Sequence, residues 1–96
     1  MLTSKASVRR DGDALAFTGA LLRDDVAAVW RQVAGSLDGV RRFELGAVDR
    51  IDSAGLALLA ELATRCGGVV VDGVPAGLAE LRAAYRLTPQ LDFAAA

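Results

Sequence analysis

The sequence predicts an α/β fold in which a small mixed sheet of about four strands is covered by helices mainly on one face. Stretches in which apolar and polar residues alternate are interleaved with stretches whose apolar residues recur every three or four positions, as in strands and amphipathic helices respectively. A chain of 96 residues accommodates one core of modest size, so we expect a single domain over residues 1–96.

The first two predicted strands form a hairpin. Residues 6–11 favour a short strand, and residues 14–22 alternate with the strand period. Between them stands Asp-Gly-Asp, in which Gly12 can adopt a positive φ at little steric cost. The two strands are therefore expected to be antiparallel neighbours.

The first helix is predicted over residues 23–39. Asp24 or Asp25 can cap its N-terminus, and Gly39 is suited to its C-terminal end. Trp30 lies on the same stripe as the valines of this segment, so it is interpreted as a core residue.

The order β-β-α-β-α-β-α is completed by a strand over 40–48, a helix over 53–66, a strand over 67–74 and a helix over 75–87. Pro75 suits the first turn of the last helix. The strand–helix–strand unit should cross over right-handed, which makes its two strands parallel. Charges alternate with apolar residues in the first of these strands, whereas a strand buried on both faces is apolar almost throughout. This pattern places the helices mainly on one face.

The composition excludes several classes of function. The chain has no histidine, one lysine and one cysteine, so we expect no catalytic activity, no metal site and no cofactor. Cys66 has no histidine to activate it and is interpreted as a structural thiol. A net charge of −1 without charged blocks argues against a nucleic-acid partner. Because no apolar run approaches the roughly 20 residues of a membrane helix and no signal-peptide core is present, we expect a cytoplasmic protein without direct membrane insertion.

The segment Asp-Arg-Ile-Asp-Ser-Ala-Gly, residues 49–55, joins the central strand to the leucine-rich helix, at the sheet edge where open α/β folds usually place their sites. In the simplest interpretation Asp52 or Ser53 only caps the helix. A serine hydrolase would need a base and an aspartyl-phosphate receiver would need a lysine near a later strand end. Neither is offered here, and no phosphate-binding GxxxxGK[ST] loop is present.

A docking surface is the remaining interpretation of this segment. On a helical wheel the side opposite the core carries small and weakly polar residues, which permit close approach of another protein, with Leu58 at the boundary. The predicted partner-binding residues are Asp52, Ser53, Ala54, Ala57, Leu58 and Glu61. A phosphate on Ser53 would add about −1.5 to −2 charges to this surface and would switch binding off. The same stripe is compatible with a homodimer when no other partner is present.

The order of elements and the stretch "DRIDSAGLALLAEL", residues 49–62, resemble the STAS domain, the anti-sigma-factor-antagonist module. The hallmark of that family is an Asp-Ser-x-Gly turn before a leucine-rich helix, matched here by Asp52, Ser53, Ala54 and Gly55. The resemblance covers nearly the whole chain. It implies a STAS fold, no enzymatic activity and function by binding.

Two branches of this family are considered. The first helix, "RDDVAAVWRQV", resembles that of the MlaB-type branch, in which a lone STAS subunit binds the ATPase of the bacterial phospholipid ABC transporter that maintains outer-membrane lipid asymmetry. Such a subunit would lie at the cytoplasmic face of the inner membrane, held there through the ATPase and the membrane permease. The MlaB-type pattern has Thr-Gly where this chain has Ser53-Ala54, and the serine keeps the hydroxyl. In the alternative branch, the anti-sigma-factor antagonists, the serine matching Ser53 is phosphorylated by a kinase that is also the anti-sigma factor.

Overall fold

The computed structural model describes residues 6–87 and arranges them as a four-stranded sheet with three α-helices and a short 3-10 turn. The elements in chain order are β1 (Ser7–Asp11), β2 (Ala14–Leu21), the 3-10 turn (Arg23–Asp25), α1 (Val26–Val33), β3 (Arg42–Ile51), α2 (Ser53–Arg65), β4 (Val70–Asp72) and α3 (Leu78–Ala84). This α/β architecture confirms the predicted fold class.

The strands lie side by side in chain order, β1-β2-β3-β4. β1 is antiparallel to β2, whereas β2 and β3 are parallel, as are β3 and β4. Asp11 pairs with Ala14, so only Gly12 and Asp13 form the hairpin turn, and Gly12 has the positive φ of 61° that the turn requires. The mixed sheet and the N-terminal hairpin are both as predicted.

The two faces of the sheet differ in burial. Along β3, Phe43 and Leu45 are buried, whereas Arg42 and Glu44 are only half-buried. On the polar face Arg42 lies 3.1 Å from the carboxylate of Glu44 and 3.7 Å from that of Asp72 on β4. The helices therefore cover mainly one face of the part of the sheet that the structure describes, which confirms the prediction made from the alternating charges.

The core lies between that face and the helices. Phe17 of β2 and Phe43 of β3 meet edge to face at its centre, with ring centroids 5.4 Å apart and an interplanar angle of 71°. The large helical side chains buried against them are Val29, Val33, Leu56, Leu58, Leu59, Leu62 and Leu78. Most of these leucines belong to α2, so this helix is fixed firmly over the middle of the sheet.

Several predicted boundaries are wrong by a few residues. α1 ends at Val33 because Gly35 and Ser36, both poor helix formers, follow it, and Gly39 lies outside the helix. The side chain of Asp25 accepts a hydrogen bond from the backbone N–H of Leu22 at 3.4 Å instead of capping α1. α3 starts at Leu78 and not at Pro75 because Gly77 has a φ of 92°, which a right-handed helix does not allow. β3 continues to Ile51, three residues beyond the predicted end.

Candidate functional site

Asp52 caps α2 and ties it to the end of β2. One carboxylate oxygen, Oδ1, accepts a hydrogen bond from the backbone N–H of Gly55 at 2.9 Å, so of the two predicted candidates, Asp52 and Ser53, it is Asp52 that makes the N-cap interaction. The other oxygen, Oδ2, accepts from the backbone N–H of Arg23 at 3.0 Å, and the Asp52 N–H donates to the Leu21 carbonyl at 3.2 Å. Asp52 thus joins the start of α2 to the segment that leads into α1.

These hydrogen bonds also determine the ionisation of Asp52. Partial burial, the largest single influence, raises the pKa of the carboxyl group. The backbone N–H groups of Gly55, Arg23 and Ala54, together with the positive charge of Arg23, outweigh it and lower the pKa below the ordinary 3.8. Asp52 is therefore a charged structural group whose two oxygens are both engaged with the backbone.

Gly55 allows α2 to approach β2 and β3 closely. A Cβ atom at this position would lie 2.9 Å from Cγ1 of Ile51 and 3.0 Å from the carbonyl carbon of Leu21, with the Leu21 carbonyl oxygen still nearer. The glycine of the Asp-Ser-x-Gly turn is thus required by packing. Together Asp52 and Gly55 fix the position and direction of the helix that carries Ser53.

The side of α2 that faces away from the core carries four of the six predicted binding residues. Ser53, Ala57 and Glu61 are exposed, and Ala54 is half-buried beside them. Since Asp52 makes the cap hydrogen bond, the Ser53 hydroxyl is not needed to cap α2. The structure brings these four residues together on one accessible strip.

Leu58 is a correction to the predicted surface. Its side chain is only 5% exposed and belongs to the hydrophobic core, so the expectation that it lies at the boundary of the docking surface is wrong. On a helical wheel Leu58 falls between the two sides of α2, and the neighbouring elements bury it. It is not available to fill a pocket in another protein.

The C-terminal half of the same strip is occupied by internal contacts. Glu61 accepts a hydrogen bond from Nε of Arg65 at 2.9 Å, one helical turn along. The guanidinium of Arg65 in turn lies 4.8 Å from the ring centroid of Trp30, a cation–π contact that links α2 to α1. Trp30 is partly buried and packs against the core, as predicted.

Cys66 follows the last residue of α2 and is half-buried. This burial raises the pKa of its thiol, although the positive charge of Arg10 acts in the opposite direction.

A groove of about 400 Å³ lies beside the N-terminal half of α2. It is lined by Arg23, Ser53, Ala54, Leu56, Ala57, Ala60, Tyr85 and Leu87. Most of these side chains are apolar, and Arg23 is the charged residue among them. We call this feature the α2 groove. It combines three predicted site residues with residues from two other parts of the chain.

The far wall of the α2 groove is built by the end of α3. Arg86 has a positive φ of 57°, and the N–H groups of Arg86 and Leu87 donate to the carbonyls of Ala83 and Arg82 at 3.2 and 2.8 Å. This pair of bonds is a Schellman motif, with arginine at the position that glycine normally takes. Tyr85 lies after the last helical residue of α3, and its side chain is 51% exposed.

The described residues offer a surface for contact and no metal centre. Within residues 6–87, no three acidic, cysteine or histidine side chains are grouped so that they could hold a metal ion. None of the helices in this part of the chain is both long and apolar enough to cross a bilayer. What the site presents is an apolar groove, one cationic side chain and an exposed serine hydroxyl at a helix start.

Comparison with known proteins gives a family match and likenesses to solved structures. The family model described as "Mlab, STAS domain" matches residues 6–91. A solved structure described as "Crystal Structure Analysis of Mglu" is similar at 31% sequence identity with a TM-score of 0.51, over 74% of this chain. The chain spans only 20% of the length of that protein, so the likeness concerns one part of a longer molecule. No curated protein matches the chain.

Proposed function

The chain belongs to the STAS domain family of the MlaB type, and from this premise we propose that it is a non-catalytic subunit that binds the ATPase of a bacterial phospholipid-transporting ABC complex. STAS domains are generally binding domains. In this proposal the subunit lies in the cytoplasm, is held at the inner membrane through the ATPase and its permease, and regulates or stabilises the ATPase in the maintenance of outer-membrane lipid asymmetry.

The observation that carries the proposal is the accessible strip on α2, whose residues Ser53, Ala54 and Ala57 also line the α2 groove. Small side chains there let another protein approach the backbone of α2 closely, while the groove can receive an apolar side chain of the partner. Asp52, through its cap hydrogen bonds, and Gly55, through its close packing, fix the position of the helix that carries the strip. Glu61, already paired with Arg65, would lie at the rim of the interface.

The proposal is tested by adding bulk and charge at the centre of the strip. Ala57→Arg should weaken binding to the ATPase by about 2 kcal/mol or more, which is roughly 30-fold in Kd, because it fills the site of close approach. Ser53→Glu should act in the same direction. Affinity is measured by calorimetry with the purified ATPase, after the ATPase has been recovered with the tagged chain from its host in mild detergent.

Thr64→Arg is the matched control, since Thr64 is exposed on the same side of α2 but does not line the groove. It adds the same charge and should leave the affinity unchanged. If Ala57→Arg and Ser53→Glu bind as tightly as this control, the proposed surface is wrong.

The second candidate function is an anti-sigma-factor antagonist, and the exposed hydroxyl of Ser53 favours it specifically. A phosphate there would meet the positive end of the α2 dipole and the side of the groove that carries Arg23. This function requires phosphorylation of Ser53 by an anti-sigma-factor kinase. Mass spectrometry of the chain recovered from its host tests it, because a soluble kinase as partner together with phosphorylated Ser53 would replace the transporter assignment.

A further inference from the structure

The α2 groove is apolar along most of its length and cationic at one end. Its apolar wall includes Leu56 and the methyl groups of Ala57 and Ala60. Arg23, the charged residue of the lining, is exposed, and its backbone N–H binds the carboxylate of Asp52, the cap of α2. The positive charge therefore lies at the end of the groove where α2 begins, and the apolar wall extends from there along the helix.

In the described part of the chain, the guanidinium of Arg23 is not paired with a carboxylate. The ion pairs there are made by Arg42 and Arg65. Asp52, the acid beside the groove, accepts hydrogen bonds from the backbone N–H groups of Gly55 and Arg23, so both of its oxygens are already used by the turn. A carboxylate from another protein is the group that would complement this charge.

The hydroxyl of Ser53 lies at the same end of the groove. It is exposed, and it is not needed at the helix start because Asp52 caps α2. A carboxylate oxygen can accept a hydrogen bond from a hydroxyl as well as from a guanidinium, since it has two lone pairs. Ser53 and Arg23 therefore offer donors to an acid, whereas most of the remaining lining offers apolar surface.

We propose that the α2 groove receives a segment of the partner ATPase that carries one acidic and one large apolar residue. The carboxylate pairs with Arg23 and with the hydroxyl of Ser53. The apolar side chain packs on Ala57 and Ala60, where it gains from burial. This inference rests on the proposed function, because it specifies the chemistry of the ATPase segment that binds the strip on α2.

The length of the groove sets the spacing of the two partner residues. At about 1.5 Å per residue, Ala57 and Ala60 lie roughly 6 and 10 Å along α2 from Ser53. An extended segment advances roughly 3.3 Å per residue, so its acidic and apolar residues would be about two or three positions apart. In a helical segment they would be about four to seven positions apart.

The role of the charge is tested with the purified ATPase by calorimetry at two salt concentrations. Arg23→Gln should weaken binding about fivefold, and Arg23→Glu about 30-fold or more because it brings two negative charges together. Arg23→Lys keeps the charge and should bind like the parent chain. Raising the salt concentration should weaken the parent chain more than Arg23→Gln. Arg31→Gln is the matched control, since Arg31 is exposed on α1 and does not line the groove.

The same position allows the acid of the partner to be identified. Carbodiimide couples an amine to a carboxylate in contact with it, and the chain has one lysine, Lys5, so a new product of Arg23→Lys can be assigned by mass spectrometry. The coupled ATPase residue should be an aspartate or glutamate with a large apolar residue at the spacing given above. Arg31→Lys should not couple to that residue. The variants at Arg23 should keep the fold, because the Arg23 group that binds Asp52 is its backbone N–H.

Two results would overturn the inference. One is an affinity of Arg23→Gln equal to that of Arg31→Gln at both salt concentrations. The other is an Arg23→Lys variant that binds the ATPase but couples to no carboxylate, or to one without a large apolar residue at that spacing. If Ala57→Arg still weakens binding in either case, the proposed function stands and only the chemistry assigned to the bound segment is wrong. An ATPase that does not bind the parent chain would refute both.

Discussion

Replacing Asp52 by alanine tests whether the turn before α2 is held by one carboxylate. The substitution removes the hydrogen bonds from the backbone N–H groups of Gly55 and Arg23, which are 2.9 and 3.0 Å long. Loss of an N-cap costs about 0.5–2 kcal/mol, and a second hydrogen bond to a charged group adds about 1 kcal/mol or more at this half-buried position. We expect the free energy of unfolding to fall by about 2–3 kcal/mol, and the Tm of a domain of this size by roughly 10–20 °C.

Urea denaturation followed by circular dichroism measures this change, with two companion variants. Asp52→Asn keeps one oxygen acceptor but loses the charge, so it should cost about 1 kcal/mol. Asp49→Ala, at an exposed position of β3 three residues earlier, is the control and should stay within about 0.5 kcal/mol of the parent chain. A loss in Asp52→Ala no larger than that of the control would refute the role assigned to the carboxylate.

The same variants predict a dependence on pH. Because the folded-state pKa of Asp52 is lowered from 3.8, its stabilising effect is fully present above that value and is lost as the pH falls through the lower folded-state pKa. The stability difference between the parent chain and Asp52→Asn should therefore be constant near neutral pH and shrink in acid below about pH 4. A difference that grows in acid would contradict the lowered pKa.

Four further substitutions test the packing and the backbone conformations described above. Gly55→Ala should destabilise the chain by about 2 kcal/mol because the added Cβ overlaps with the Leu21 carbonyl, although alanine favours helices. Gly35→Ala is the control in the same denaturation assay: a Cβ at position 35 would have no neighbouring atom within 4 Å, so this variant should be nearly neutral. Arg86→Gly should raise the free energy of unfolding by up to about 1 kcal/mol because it relieves the positive φ, and a destabilised variant would argue against that conformation. Leu58→Ala should lower the free energy of unfolding by about 2–5 kcal/mol, as expected of a core residue. A variant that loses partner binding but keeps its stability would show that Leu58 belongs to the binding surface and not to the core.

The sequence was sufficient for the features that depend on local pattern. The hairpin follows from the Asp-Gly-Asp turn between a short strand-like segment and an alternating one, and the start of α2 follows from a capping residue before a leucine-rich helical segment. The alternating charges of β3 were enough to predict that helices cover mainly one face. Each of these signals lies within one short continuous stretch of chain, where backbone geometry and side-chain period determine the outcome.

The candidate site was predictable only in part, because the groove is assembled from distant segments. Ser53, Ala54 and Ala57 lie on one helix and were placed together by its period. Arg23 and Tyr85 join them only through the tertiary arrangement, and no local signal marks either as a lining residue. The burial of Leu58 was likewise not predictable from the helix alone. A helical wheel places Leu58 between the core side and the exposed side of α2, and only the neighbouring elements bury it.

The sequential strand order has a consequence for the rate and route of folding. Ala14 pairs with Arg42 across the first parallel ladder, and Phe43 pairs with Val71 across the second, and in each case the partners are 28 positions apart along the chain. Since the entropy of closing a loop depends on its length, the two crossovers carry nearly the same closure cost. Neither β2–α1–β3 nor β3–α2–β4 is favoured by loop length alone. The strand ladders within the two units differ instead, since β2 pairs with β3 from Ala14 to Leu21 whereas β4 pairs with β3 only from Val70 to Asp72, and the longer ladder gives the first unit the advantage.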